Sequence, residues 1–102
     1  MLRSFSYAAY SSLINFSARR AGDRASLEPW ARLWERCVAA EFLRAYRQTA
    51  QGAVFLPENT ENFRKLLDIF LVGKALYEVL YELNARPDWV RIPLMGITSL
   101  HL

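Results

Sequence analysis

Four polar residues recur at helical spacing in an otherwise apolar segment near the end of the sequence: Lys74, Tyr77, Glu78 and Tyr81. They lie at positions i, i+3, i+4 and i+7, so a helix would present them on one face, which Asn84 extends. Ammonium groups donate hydrogen bonds to hydroxyl oxygens, carboxylates accept them, and tyrosine rings offer flat faces to the C–H side of a sugar. This mixture suits a small polyhydroxylated ligand. The alternative is structural, with Lys74 paired to Glu78 and the tyrosine hydroxyls at a boundary.

The other reactive residue types form no recognisable catalytic set. The single histidine, His101, lies one residue from the end of the sequence and is not expected to be catalytic. Cys37 falls on the apolar side of a helical segment with no basic neighbour on that face, which favours a core position over a nucleophilic one. The sequence has no metal-ligand cluster, no glycine-rich phosphate loop and no Ser-His-Asp set. We therefore predict no catalytic, cofactor or metal site within this chain.

The first half of the sequence is typical of two helices with a break between them. Apolar residues at three- and four-residue steps predict a first helix over residues 2–16. Gly22 is predicted to take a left-handed conformation after it, Ser26 to cap the second helix, and Pro29 to lie at the N3 position of that helix. The second helix is expected to run to about Ala50, with two tryptophans as core anchors. Its apolar stripe comprises Trp30, Trp34, Val38, Phe42 and Ala45.

The helix that positions the polar stripe follows a second break, at Gly52 and Pro57. Asn59 is predicted as its N-cap, and the uninterrupted pattern runs over residues 63–84. Apolar residues lie almost all round this segment, which is typical of a helix surrounded by protein. Two long helices and such a central helix need more covering than 102 residues supply. Either the chain self-associates or it is part of something larger.

A short helix is expected to close the fold. Arg86 precedes Pro87, and because a residue before proline is disfavoured in the helical region, the third helix should end there. Residues 94–100 then predict the final helix, with Pro93 in its first turn. No alternating stretch is long enough for a sheet. The predicted fold class is all-α, with three main helices plus a short C-terminal helix.

Composition indicates a globular chain of about one small domain. It has 102 residues, 53% of them hydrophobic and 23% charged, which excludes intrinsic disorder. No run of 18 or more apolar residues predicts a membrane span, and a single cysteine fits a reducing cytosol. The net charge of +3 is spread among acidic residues, which favours a solvated helix surface over a nucleic-acid site. We expect a cytoplasmic protein with no membrane or nucleic-acid partner.

The sequence resembles the C-terminal end of bacterial maltokinases, which occur alone or fused behind trehalose synthase. The resemblance covers essentially the whole chain. Its longest part is Lys74-Ala-Leu-Tyr-Glu-Val-Leu-Tyr-Glu-Leu-Asn84 followed by Arg86-Pro-Asp-Trp-Val-Arg-Ile-Pro-Leu94. Further matches are Met1-Leu-Arg-Ser-Phe-Ser-Tyr-Ala-Ala9, Glu28-Pro-Trp30, Trp34-Glu35 and Phe55-Leu-Pro57.

The resemblance implies a kinase that transfers the γ-phosphate of ATP to the anomeric hydroxyl of maltose, giving maltose 1-phosphate for α-glucan (glycogen) synthesis. It implies the helical part of a protein-kinase-like C-lobe, similar to that of aminoglycoside phosphotransferases. Lys74, Tyr77 and Tyr81 fall on family positions that contact maltose, with Glu78 and Asn84 behind them. Two positions beside these depart from the family: Gly73, where relatives often have Glu, and Ala85, where they often have Asn.

The parts of the family enzyme that transfer phosphate are missing from these 102 residues. Phosphoryl transfer needs a nucleotide cradle, magnesium-binding carboxylates and an Asp that orients the attacking hydroxyl. In the family all three lie upstream, so the resemblance implies that ATP and Mg²⁺ belong to the complete enzyme, and Met1 is expected to correspond to an internal methionine of a longer kinase. Residues 1–102 are thus expected to be the C-terminal helical subdomain, inactive alone. Expected partners are maltose or a related disaccharide, the missing kinase portion or trehalose synthase, and a second copy of the chain. A stand-alone helical interaction module is the alternative.

Overall fold

The computed structural model describes residues 1–100, except for the side chains of residues 19 and 21, so His101 lies outside the described residues. The described residues form four α-helices and no strand, which confirms the all-α prediction with its short last helix. Helices α1 to α4 span Leu2–Phe16, Ala21–Thr49, Thr60–Ala85 and Arg91–Thr98, with 3₁₀ turns at Ser17–Arg19 and Pro87–Trp89. The chain divides into two compact units, Met1–Ala45 and Tyr46–Leu102.

In the first unit, buried polar groups and an aromatic cluster join α1 to α2. A guanidinium nitrogen of Arg3 donates to Ser6 Oγ at 3.0 Å, and Ser6 Oγ donates to Glu35 Oε1 at 2.5 Å. Both Arg3 and Ser6 are buried. The ring of Phe5 meets Trp34 and Phe42 edge-on, with centroids 6.5 and 5.7 Å apart. Because a buried polar group is costly unless hydrogen-bonded, the Ser6–Glu35 bond fixes which face of α1 contacts α2.

Tyr10 lies beside this polar group, and ionisation of its phenol should change the free energy of unfolding of the protein. Burial raises the pKa of Tyr10 above its ordinary value of 10.0, and the charge and hydrogen bond of Glu35 raise it further, against an opposing effect of Arg32. The folded chain therefore holds the phenol proton at a pH where the unfolded chain has lost it. The stabilisation that comes from this raised pKa is fully present below about pH 10, and it is lost as the pH rises through the folded-state pKa.

We expect the urea-measured free energy of unfolding to fall less steeply above about pH 10 in Tyr10→Phe than in the wild type. Both chains keep the same lysines and other tyrosines, so their difference isolates Tyr10. Parallel curves for Tyr10→Phe and the wild type would contradict the expectation.

The start of α2 differs from the sequence prediction. The helix begins at Ala21, so Gly22, Ser26 and Pro29 all lie inside it. Gly22 does not take a positive φ, and Ser26 Oγ donates to the carbonyl of Asp23 at 3.0 Å instead of capping the helix. The reason is that the 3₁₀ turn makes the break earlier: Ser17 Oγ bonds to the Leu13 carbonyl, and the Arg20 N–H bonds to the Ser17 carbonyl. The reversal is complete before the glycine is reached.

Part of the predicted apolar stripe of α2 is exposed. Trp30 is 69% exposed and Cys37 is also exposed, so the core positions predicted for both are wrong. Trp34 does contact Phe5, although 47% of its surface remains exposed. The 15 residues of α1 are about half as many as the 29 of α2, so α1 can cover only some turns of α2.

In the second unit, local signals fix both ends of α3 as the sequence predicts. Asn59 Oδ1 accepts from the backbone N–H groups of Glu61 and Asn62 at 2.8 and 3.2 Å, which confirms the N-cap. The helix ends at Ala85, and Arg86, before Pro87, takes φ −144° and ψ 75°. Gly52, with φ 84°, lies in the turn that precedes α3, at the break predicted there.

One face of α3 packs against α4, and the rest is open. The contact buries Ala75 and Glu82 of α3 together with Ile92 and Pro93 of α4, each less than 2% exposed. The eight residues of α4 cover only one face of α3, in line with the expectation that 102 residues do not supply the covering that its apolar pattern calls for. Large apolar side chains left exposed on α3 are Leu66, Ile69, Phe70, Leu76, Leu80 and Leu83. No helix within residues 1–100 has the length and apolar character needed to cross a membrane.

Candidate ligand-binding face of the third helix

Three residues of the predicted stripe share an exposed face of α3. Lys74 is exposed, Tyr77 is 62% exposed and Tyr81 is 52% exposed. The Nζ of Lys74 lies 5.0 Å from the centroid of the Tyr77 ring, within the range of a cation–π contact. We call Lys74, Tyr77 and Tyr81 the tyrosine face. It offers an ammonium donor, two aromatic rings and two hydroxyl groups to the surroundings.

The remaining two stripe residues have different surroundings. Glu78 is only 8% exposed and lies among the residues of α3 that face α4. Asn84 Nδ2 donates to the carbonyl of Leu80 at 3.0 Å, so its amide is engaged by its own helix. The stripe that the sequence pattern predicts as one polar surface is thus divided between an exposed face and a buried one.

Arg86 supports the tyrosine face from its C-terminal end. Its guanidinium carbon lies 5.7 Å from the centroid of the Tyr81 ring and 4.1 Å from that of Trp89. Nε and a terminal nitrogen of the same group donate to Glu82 Oε1 at 3.2 and 2.8 Å. This cluster was not predicted from the sequence, although the spacing of Glu82 and Arg86, at i and i+4, is typical of a helical ion pair.

The electrostatics of the tyrosine face follow from which charges are exposed. Lys74 and Arg86 reach solvent, whereas the carboxylates of Glu78 and Glu82 are buried. The face can therefore donate charged hydrogen bonds and stack flat groups, but the two nearest carboxylates of the helix are turned away from it. Gly73 adds open space beside Lys74, because a Cβ placed there would meet nothing within 4 Å. Within residues 1–100, no three Asp, Glu, His or Cys side chains are placed to hold a metal ion.

Fold and face together define an all-α protein with an exposed aromatic and cationic helix surface. No protein-family model matches the chain, and no solved structure matches it.

Proposed function

We propose that the chain is the C-terminal helical portion of a maltokinase, and that the tyrosine face binds maltose or a related disaccharide. The proposal rests on the resemblance of residues 74–94 to that family. The observation that supports it most is that Lys74, Tyr77 and Tyr81, the three family sugar positions, are exposed together on one helix.

The chemistry of these groups suits a sugar. A pyranose has C–H bonds that pack on an aromatic ring and hydroxyl oxygens that accept from an ammonium group. The two tyrosine hydroxyls can donate and accept at the rim. Binding should be weak, because the face is open and buries only one side of a ligand, whereas tight small-molecule sites enclose most of it. A dissociation constant of about 1 mM, or roughly −4 kcal/mol, is the expected scale.

Titration of the ¹⁵N-labelled chain with maltose, to about 50 mM, tests this. Amide resonances of residues 74–81 should shift saturably, and Tyr81→Ala should weaken binding by about fivefold, since it removes about 1 kcal/mol of ring contact. Phe55→Ala is the matched control, because Phe55 is also an aromatic residue, 70% exposed, but lies outside α3. Absence of shifts in α3, or equal weakening by Phe55→Ala, would refute the sugar site.

The same proposal includes an expected inactivity. The 102 residues lack a nucleotide cradle, a magnesium site and a catalytic Asp, so the chain should not transfer phosphate by itself. Incubation with ATP, Mg²⁺ and maltose should yield no maltose 1-phosphate by ³¹P spectroscopy. Formation of that product would show that the chain has a catalytic centre of its own.

A stand-alone helical interaction module is the second candidate. The observation that favours it is the apolar surface of α3, where Ile69, Phe70 and Leu80 are each more than 60% exposed. If this candidate is correct and the first is wrong, maltose leaves the α3 resonances unchanged while a macromolecular partner shifts them.

A further inference from the structure

A coiled-coil seam runs along the exposed side of α3. Between Leu66 and Leu83, six exposed positions, five of them large and aliphatic, are separated by three and four residues alternately, which is the a and d spacing of a heptad repeat. The a positions are Leu66, Gly73 and Leu80, and the d positions are Ile69, Leu76 and Leu83. We call these six residues the α3 seam. Its five large side chains are between 36% and 66% exposed, so no helix among the described residues of the second unit covers the seam.

The seam lies opposite the face that contacts α4. At 100° per residue, Glu78 and Glu82 are more than about 150° round the helix from the centre of the seam. Those two residues are buried against α4, so a second helix can approach the seam without displacing α4.

We propose that α3 pairs with α3 of a second copy of this chain, as an antiparallel two-stranded coiled coil along the α3 seam. In this arrangement Leu66 of each copy lies opposite Leu83 of the other. Ile69 lies opposite Leu80, and Gly73 lies opposite Leu76. The missing side chain of Gly73 then leaves room for a leucine, and helix dipoles run in opposite directions.

A parallel pair fits the same residues less well. It would place Gly73 opposite Gly73 at the centre of the seam, and Leu76 opposite Leu76 in the next layer. Two glycines in one layer leave a gap in the packing, and such gaps are destabilising. The antiparallel pairing distributes the glycines over two layers, each filled by a leucine.

Charge does not oppose this pairing. The seam contains no charged residue, and the positions that flank it between Leu66 and Leu83 are Phe70, Val72, Tyr77 and Val79. The charges at its two ends are paired within their own helix: Lys65 lies 3.4 Å from Glu61, and Arg86 lies 2.8 Å from Glu82. In the antiparallel pair Phe70 of one copy flanks Tyr77 of the other, which adds two aromatic contacts along one edge of the seam.

The exposed area is enough for a weak dimer. With about 100 Å² for an aliphatic and 200 Å² for an aromatic side chain, the seam with Phe70 and Tyr77 exposes roughly 530 Å² per copy. Standard interfaces bury about 800 Å² per partner, and transient ones bury less. We therefore expect a dissociation constant of about 10–100 µM.

Sedimentation velocity of the full chain, from about 5 to 300 µM, should show a monomer–dimer equilibrium and no larger species. Gly73→Glu is the decisive variant. A Cβ at this position meets nothing within 4 Å, and glutamate favours helix more than glycine does, so the isolated fold should become more heat-stable. A charge in the centre of the seam should nevertheless weaken dimerisation by at least about tenfold. These opposite effects separate loss of the interface from loss of folding.

Leu80→Glu is the second variant, and it too should weaken the dimer, since Leu80 is 64% exposed and dispensable for the contact with α4. Leu33→Glu, at a leucine of α2 that is 51% exposed, is the matched control and should leave the dissociation constant within about twofold. A monomer at the highest concentration, larger aggregates in place of a dimer, or an unchanged dimer in Gly73→Glu or Leu80→Glu would overturn the proposal.

Spin labels test the orientation. In a Cys37→Ser chain, a label at Glu61→Cys should give a distance of about 40 Å between copies, because residue 61 lies about 27 residues along the axis from its counterpart. A parallel pair would bring the labels within about 20 Å and refute the antiparallel arrangement. None of these variants replaces Lys74, Tyr77 or Tyr81, and sedimentation is run without maltose, so the result tests the dimer separately from the sugar site.

Discussion

Ile92→Ala is expected to destabilise the second unit by about 2–5 kcal/mol. Ile92 is 1% exposed and, with Pro93, forms the α4 side of the contact that buries Ala75 and Glu82 of α3. Truncation removes buried methyl and methylene groups and leaves a cavity beside a carboxylate that is already fully buried. A domain of this size is stable by about 5–15 kcal/mol in total, so the loss should lower the urea concentration at the unfolding midpoint substantially.

Two further variants of α4 show whether the loss comes from the cavity. Ile92→Val removes one methyl group and should cost about 0.5–1.5 kcal/mol. Leu94→Ala is the matched control, since Leu94 is an aliphatic residue of the same helix that is 46% exposed, and it should cost less than about 1 kcal/mol. Equal losses for Ile92→Ala and Leu94→Ala, measured by circular dichroism in urea, would mean that the α3–α4 contact is not the core of this unit.

Most of the helices could be predicted because their signals are local. The N-cap at Asn59 and the stop before Pro87 each depend on one or two residues and their nearest backbone groups, and both are confirmed. The start of α2 was predicted wrongly because the residues that make the break carry no clear local signal. The 3₁₀ turn after Phe16 reversed the chain before Gly22, and nothing in the residue types of 17–20 indicated that turn.

Burial could not be predicted because it depends on which helix covers which face. Trp30 and Leu80 belong to regular apolar patterns and are nevertheless 69% and 64% exposed. Periodicity indicates that a helix has an apolar face, but the length of the neighbouring helix sets how many turns of that face are covered. For α3 that neighbour is α4, with eight residues, so the apolar surface of α3 exceeds what that helix can cover.

The candidate site shows the same division between pattern and environment. Spacing placed Lys74, Tyr77 and Tyr81 on one face of α3, and the structure has them exposed there. Spacing also grouped Glu78 with them, yet Glu78 is 8% exposed on the side of α4. A boundary residue at i+4 from Lys74 can belong to either surface, and only the position of α4 decides which. The role of Arg86 was missed because its ring contacts require the conformation of the turn that follows the helix.

Arg86→Ala is expected to destabilise the second unit by about 3 kcal/mol, because it removes the partner of a fully buried carboxylate. Glu82 is 0% exposed, and Nε and a terminal nitrogen of Arg86 both donate to its Oε1. Within the described part of the chain, Glu82 Oε2 has no hydrogen-bond partner, so loss of Arg86 leaves the charge without compensation. The variant also loses the stacking of Arg86 on Trp89 at 4.1 Å, which holds the 3₁₀ turn against the end of α3.

The double variant Glu82→Leu/Arg86→Ala should recover most of that loss, because an apolar residue of similar volume removes the need for a partner in the interior. Arg44→Ala breaks an ion pair of the same type, Arg44 with Glu41 at 2.6 Å, but both side chains are more than 60% exposed, so its urea midpoint should hardly change.

If Arg86→Ala shifts the midpoint no more than Arg44→Ala does, Glu82 must find another partner or water, and the pair does not stabilise the fold. If the double variant is as unstable as Arg86→Ala, the loss comes from the Arg86–Trp89 contact instead of the uncompensated charge, because that contact is absent from both.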